Sequence, residues 1–165
     1  MFSRFYPDRI EKSVYDIDFS ELYSKGKRGI LFDIDNTLVM HGADADRESE
    51  DLFVRLHLLG FKTCLISNNG EERVMRFNKN IKTNYVYKAG KPFDKGYKKG
   101  MELMGTDEES TLFVGDSNVD VQTAHNGGLV CCGAGWGFRG EQELADAGAE
   151  IVLGKPIELL DVLGL

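Results

Sequence analysis

The chain has 165 residues, 42% of them hydrophobic and 28% charged, with a formal net charge of −7. That is the size of one ordinary domain with enough apolar material for a packed core, which excludes wholesale disorder. The acidity excludes indiscriminate binding to nucleic acid, whose phosphates call for a basic footprint, and no sequence-specific nucleic-acid partner is expected. In chain order, residues 1–28 hold two weak helical stretches, about 9–15 and 19–25, ended by Gly26 and Gly29 near basic residues. Short β-rich runs then recur: Gly29–Phe32, Lys62–Ile66, Tyr85–Tyr87, Thr111–Val114, Leu129–Cys132 and Ile151–Leu153. They are continuously apolar rather than alternating, as strands covered on both faces of a parallel sheet are. Helices are expected between them near 47–59, 71–79, 94–104, 118–126 and 140–147, with a last one near 157–163. Leu52, Leu56 and Leu59 in the first of these follow a helical i, i+4, i+7 spacing. Strand and helix alternating in this way predict a three-layer doubly wound α/β (Rossmann-like) domain with a mostly parallel sheet. No repeat, low-complexity tract or linker divides the chain, so residues 1–165 read as one domain with 1–28 as a helical lead-in.

The three cysteines (Cys64, Cys131 and Cys132) are too few and odd in number for a disulfide framework, which suits a reducing compartment. No apolar run approaches a membrane span or a secretory leader, so a cytoplasmic location is expected. Charge is uneven along the chain. Residues 71–100 carry nine basic and three acidic groups, a local net of +6 inside an acidic chain. Such a segment either focuses an anionic substrate or acidic lipid surface, or forms solvated helix faces.

In an open parallel sheet, ligands bind beyond the carboxyl ends of the strands. The residues after successive strands are Asp33-Ile34-Asp35-Asn36-Thr37, then Ser67-Asn68-Asn69-Gly70, then Lys88-Ala89-Gly90-Lys91-Pro92, then Gly115-Asp116-Ser117-Asn118-Val119-Asp120. Two carboxylates two apart, a hydroxyl beside an amide, a lysine and a further acid pair are what magnesium-assisted phosphoryl transfer requires. A phosphate monoester is a dianion, so a carboxylate can approach it only where cations offset the repulsion. Mg²⁺ takes oxygen ligands and keeps several waters, so Asp33, Asp116 and the Asp35 carbonyl suffice to hold it. Lys91 and the Ser67 hydroxyl can bind phosphoryl oxygens. One carboxylate then serves as nucleophile, forming an aspartyl-phosphate. The other protonates the departing alkoxide and later deprotonates water.

These four segments, in this order, resemble the motifs of the haloacid dehalogenase-like (HAD) superfamily, over residues 29–165. The resemblance implies Asp33 as nucleophile and metal ligand, and Asp35 as general acid/base lending its carbonyl to the metal. It implies Thr37 as a brace of the first loop, Ser67 and Asn68 as binders of the transferring phosphoryl group, and Lys91 as its neutralising cation. Asp116 is implied as the second metal carboxylate, and Asp120 as a residue that orients Lys91 or a metal-bound water. Dehalogenases of the superfamily lack the second aspartate, because halide leaves without a proton; Asp35 therefore favours phosphate.

Relatives in this superfamily usually insert a cap after the first or second motif. Here 29 residues separate Thr37 from Ser67 and 23 separate Ser67 from Lys91, too few for a folded cap. The site should be open, resembling the capless subfamily III, and covered either by a large substrate or by a second subunit of a homo-oligomer. The N-terminal Pro7-Asp8 and Lys12-Ser13-Val14-Tyr15-Asp16-Ile17 resemble the IIIA branch, which includes phosphatidylglycerophosphate phosphatases. Gly135-Trp136-Gly137-Phe138-Arg139 with Ala147-Gly148-Ala149 resembles phosphoglycolate phosphatases. The substrate is left open among phosphoglycolate-like compounds, sugar phosphates and phosphatidylglycerophosphate. A phosphoryl-binding or receiver-like regulatory domain without turnover is the alternative. Trp136, Phe138, Arg139 and His41 are candidates for substrate contact or plain structural positions. His57, His125 and the two adjacent cysteines are expected to be structural.

Overall fold

A computed structural model describes residues 9–11, 18–137 and 139–153. The expected helix at 157–163, the N-terminal segments around Pro7-Asp8 and Lys12–Ile17, and Phe138 lie outside the described residues. Seven strands form one sheet: β1 (Arg9–Glu11), β2 (Gly29–Phe32), β3 (Lys62–Ile66), β4 (Asn84–Val86), β5 (Thr111–Gly115), β6 (Val130–Ala134) and β7 (Ile151–Leu153). Their order is β1-β7-β6-β5-β2-β3-β4, and each neighbouring pair is parallel. The helices between them are α1 (Phe19–Ser24), α2 (Arg47–Leu58), α3 (Glu71–Ile81), α4 (Asp94–Met104), α5 (Asn118–Asn126) and α6 (Gly140–Ala147). This is the doubly wound α/β architecture that the sequence predicts, with strand boundaries moved by one or two residues.

One expectation is overturned. The stretch 9–15, read as a weak helix, begins with β1, whose Arg9 lies opposite Ile151 of β7. The free edge of β7 presents unpaired backbone donors and acceptors, and satisfying them outweighs a weak local helical preference.

The pleat divides the core into two layers. Ile30, Phe32, Leu65, Leu112 and Val114 point to the face covered by Phe19 of α1, by Leu52, Phe53 and Leu56 of α2, and by Val74 and Phe77 of α3. Leu31, Cys64, Ile66, Phe113 and Cys131 point to the other face, against Tyr97, Met101 and Met104 of α4, Val121 and Ala124 of α5, and Leu144 of α6. Continuous burial of β2 and β5 follows from cover on both sides. Each fully buried Leu, Ile or Phe contributes about 1.5–3 kcal/mol relative to exposure. Gly100 lets α4 lie close to the sheet, since a Cβ there would come within 2.7 Å of Leu31 Cδ2 and 2.8 Å of Ile66 Cδ1.

Side-chain caps start three of the helices, α1 through Asp18 and two others through reciprocal pairs. In α2 the Asp46 carboxylate accepts from the Ser49 N–H at 2.8 Å while the Ser49 hydroxyl accepts from the Asp46 N–H at 3.0 Å. In α5 Ser117 and Asp120 form the same reciprocal pair. The wiring then fixes where a ligand can sit. From β2 the chain winds outward to β3 and β4 through α2 and α3; from β5 it winds the other way to β6 and β7 through α5 and α6. The order reverses between β2 and β5, and the crevice at their carboxyl ends is the topological switch point. Among the described residues, no helix is long and apolar enough to cross a membrane.

Candidate active site

The residues following β2 and β5 meet at the switch point. Asp33 continues the ladder one residue past β2, its N–H donating to the Val114 carbonyl at 2.8 Å, and its side chain is buried. Asp116 directly follows β5, and Asp120 sits in the first turn of α5; both are buried. Oxygens of Asp33, Asp116 and Asp120 all lie within 4.8 Å of one another. Lys91 reaches into this cluster from the turn after β4, its Nζ 2.6 Å from Asp33 Oδ1 and 2.6 Å from Asp120 Oδ1.

The electrostatics follow from three buried acids around one buried cation. Burial pushes the Asp33 carboxyl up to about 7; Lys91 opposes the rise, and Asp120 and Asp116 add to it. Burial would pull the Lys91 ammonium down, but the adjacent Asp33 and Asp120 reverse that and hold it above the usual lysine range. Three carboxylates against one ammonium leave an excess of negative charge in a buried cluster. Their donors are all hard oxygens, so the cluster fits a divalent cation of the Mg²⁺ kind.

Each of these residues is fixed by a neighbour. Asp120 takes Lys91 on Oδ1 and the Ser117 hydroxyl on Oδ2 at 2.7 Å, so a helix cap also orients the lysine. The Thr37 hydroxyl donates to Asp33 Oδ2 at 3.4 Å, and the Thr37 carbonyl accepts from Trp136 Nε1 at 3.2 Å. Gly137 brings the loop after β6 against the acid pair, since a Cβ there would lie 2.4 Å from the Asp116 Cβ. Asn68, expected at the phosphoryl group, also has a structural task. Its amide accepts from the Lys91 N–H at 2.8 Å and donates to the Lys91 carbonyl at 3.2 Å, so its side chain clamps the lysine's backbone. A carboxamide offers one acceptor and one donor, matching the N–H and C=O of one residue, which is why it is held there.

Ser67 is buried at the end of β3, and its Oγ accepts from the Asn69 N–H and the Asn69 side chain, each at 3.1 Å. With two donors already on the oxygen, its proton is directed to some other acceptor. The other Asn69 bond goes to Asp35 Oδ2 at 2.6 Å. Asp35 Oδ1 accepts from the Gly42 N–H at 2.8 Å and from Arg73 Nη2 at 2.8 Å, with His41 Nδ1 3.9 Å away. Burial raises the Asp35 pKa, but the Gly42 N–H and the Arg73 guanidinium outweigh it and hold this carboxyl below its ordinary value.

Arg73 and Asn69 were given no role by the sequence. Asn69 lay inside a motif whose serine drew attention, and Arg73 lay among the nine basic residues of 71–100. The available signal was position, since Arg73 falls in the first turn of α3, directly after the Ser67 loop. Its Nε and Nη1 are buried without hydrogen-bond partners, at a cost of about 1–3 kcal/mol for each such group. Of the nine basic residues, Arg73 and Lys91 form largely buried pairs with carboxylates, while Arg76, Lys98 and Lys99 form exposed ones on the surface. The remaining candidates sit apart from the acid cluster. His57 bonds Thr63 at 2.8 Å at the opposite end of β3, His125 pairs with Glu150, and Cys131 and Cys132 are buried free thiols. Arg139 Nη1 lies 3.8 Å from Glu143.

A family model for haloacid dehalogenase-like hydrolases matches residues 47–134, more than half of the chain. The chain belongs to the haloacid dehalogenase-like hydrolase family. Among its relatives, the "Probable phosphatase YqeG" of Bacillus subtilis is 31% identical over 113 residues, covering 68% of this chain and 66% of YqeG. The pyrophosphatase PpaX of Anoxybacillus flavithermus is 26% identical over 124 residues, covering 70% of this chain and 58% of PpaX. The matches thus span just under two thirds of one relative's length and a little over half of the other's. The fold recurs in a hydrolase from Pseudomonas syringae, with a TM-score of 0.68 at 18% identity over 84% of this chain and 98% of that one. It also recurs in the cobalt-bound deoxy-D-mannose-octulosonate 8-phosphate phosphatase of Haemophilus influenzae, with a TM-score of 0.64 at 13% identity over 79% and 80% of the two chains.

Proposed function

We propose that this hydrolase is a Mg²⁺-dependent phosphatase that hydrolyses a phosphate monoester through an aspartyl-phosphate on Asp33. The observation that carries the reading is the buried convergence of Asp33, Asp116, Asp120 and Lys91 at the switch point. The phosphatase and pyrophosphatase named among the relatives support the same reaction class. Asp33 and Asp116 would hold Mg²⁺ through their carboxylates and Asp35 through its backbone carbonyl. The bound cation would supply charge neutralisation of the phosphoryl oxygens and of the attacking carboxylate.

The chain's own residues do the rest. Asp33 attacks phosphorus as the bond to the alcohol oxygen breaks. Lys91, aligned by Asp120 and Asn68, and the free hydroxyl proton of Ser67 bind the transferring oxygens. Asp35, whose pKa is held low before substrate binds, takes up a proton as the substrate dianion enters beside it. It gives that proton to the leaving alkoxide and then, as a carboxylate, takes one from the water that cleaves the aspartyl-phosphate. The segments 38–66 and 68–90 hold only a loop, a helix and a strand each, consistent with an open, capless site.

The test is phosphate release by the purified protein with Mg²⁺ from a panel holding phosphoglycolate, sugar phosphates, pyrophosphate and phosphatidylglycerophosphate. Release that stops with a chelator and is absent in Asp33→Asn is the expected result. Failure across the whole panel, or stable aspartyl-phosphate without turnover, would replace this reading by a phosphoryl-binding or receiver-like domain.

A further inference from the structure

Arg73 is a partly buried cation beyond the four motif segments, its side chain 14% exposed, and its geometry is hard to explain by stability. Its guanidinium lies 5.7 Å from the Phe77 ring one turn further along α3, with Nε and Nη1 buried and unpartnered. An apolar side chain would fill that place without stranding two donors. Among the described residues, the side-chain hydrogen bond that Arg73 makes goes to Asp35 Oδ1. Arg76, one turn on, binds the Gly42 carbonyl at 2.9 Å and Asp44 at 2.6 Å, while the Gly42 N–H binds Asp35. Helix α3 therefore holds the loop after β2 at two points, and its first turn follows directly from the Ser67 loop. Asn69 closes the circuit by bonding both Ser67 and Asp35.

We infer that Arg73 is a positioning residue for proton transfer, fixing the Asp35 carboxyl relative to the phosphoryl-binding Ser67. The inference rests on the reading of Asp35 as general acid. In that step the phosphorus–oxygen bond breaks, its electron pair stays on the leaving oxygen, and the Asp35 proton moves to that oxygen. A carboxyl tethered only by Asn69 and Gly42 can turn about its side-chain torsions, and the proton then misses its acceptor. Without Arg73 the chain should lose proton transfer and keep phosphoryl binding.

The experiment compares kcat/KM of the Mg²⁺-loaded full chain on glycerol 2-phosphate and on p-nitrophenyl phosphate. The first must leave as an alkoxide and needs a proton; the nitrophenolate leaves unaided. For Arg73→Met, the expected loss is about 100-fold on glycerol 2-phosphate and less than ~5-fold on the aryl ester. The inhibition constant of inorganic phosphate should stay within ~3-fold, because phosphate binding does not use the proton. Arg73→Lys restores part of the glycerol 2-phosphate rate, and it carries the test if the methionine variant does not fold. Equal losses on both substrates, or a weakened phosphate inhibition constant, would make Arg73 a structural residue and overturn the inference. Asp35→Asn is run beside it. If Asp35→Asn shows the leaving-group dependence and both Arg73 variants do not, only the role of Arg73 fails. If Asp35→Asn loses both substrates equally, the general-acid reading itself falls, and the role of Arg73 with it.

Discussion

The metal-free protein should lose stability as pH rises, because one of its buried acids, Asp33, holds a proton more tightly when folded. Burial, with help from Asp120 and Asp116 and against Lys91, moves the Asp33 pKa from 3.8 to about 7. An acid whose folded pKa is raised contributes stability that is complete below the unfolded value and is lost as pH climbs through the folded one. The window therefore runs from about pH 4 to about pH 7, and at about 1.4 kcal/mol per unit the loss is about 4 kcal/mol. That is a large share of the 5–15 kcal/mol typical of a domain (range approximate). On the proposed reading, Mg²⁺ should bind the ionised cluster and offset part of this loss, by about 2.7 kcal/mol at ~100 times its dissociation constant. Urea unfolding from about pH 5 to about pH 8, in chelator and in Mg²⁺, reads this directly. In chelator the midpoint should fall with pH; the Mg²⁺ increment should grow with pH; and Asp33→Asn should remove this fall. Parallel pH curves for the metal-free wild type and Asp33→Asn would refute the reasoning, because the buried charge would then reside elsewhere.

Two smaller perturbations test the packing around the site. Gly137→Ala places a methyl group where the Asp116 Cβ lies 2.4 Å away, so Asp116 or the loop must shift. The expected outcome is weaker Mg²⁺ binding by titration calorimetry, with little change in the unfolding midpoint of the metal-free protein. Gly100→Ala drives a methyl group into Leu31 and Ile66 and should cost about 1–3 kcal/mol by urea unfolding.

Much of this arrangement was legible in the sequence because parallel sheets impose a simple rule. Strands covered on both faces are continuously apolar, so β2, β3, β5 and β6 announced themselves, and the residues after them had to converge. That is why Asp33, Ser67, Lys91 and Asp116 could be placed from one sequence. β1 could not, because a three-residue edge strand is specified by the free backbone of β7 rather than by its own pattern. The second tier was hidden for a related reason. Asn68 and Asn69 lay in plain view, but their partners, the Lys91 backbone and Asp35, are 23 and 34 residues away. Arg73 meets Asp35 across 38 residues, and nothing local distinguishes it from Arg76 or Lys79. The +6 segment is a similar case: its charge is legible, but the carboxylates that Arg73 and Lys91 meet lie far along the chain.

The hydrogen bonding divides the site into a saturated side and an unsaturated one. Toward β5, both oxygens of Asp120 are taken, one by Lys91 and one by Ser117, and Lys91 is held at its ammonium and at both backbone groups. Moving any of these strands a buried charge, which costs several kcal/mol, of the order of about 3–5 for a broken buried pair. Toward β3, Arg73 already leaves two donors unmatched, and Asp35 is held by one cation, one amide and one backbone N–H. On the proposed function, phosphoryl capture and metal binding would fall to the fully paired half. Proton transfer would fall to the half in which three donors keep Asp35 in place, so loss of Arg73 should loosen it.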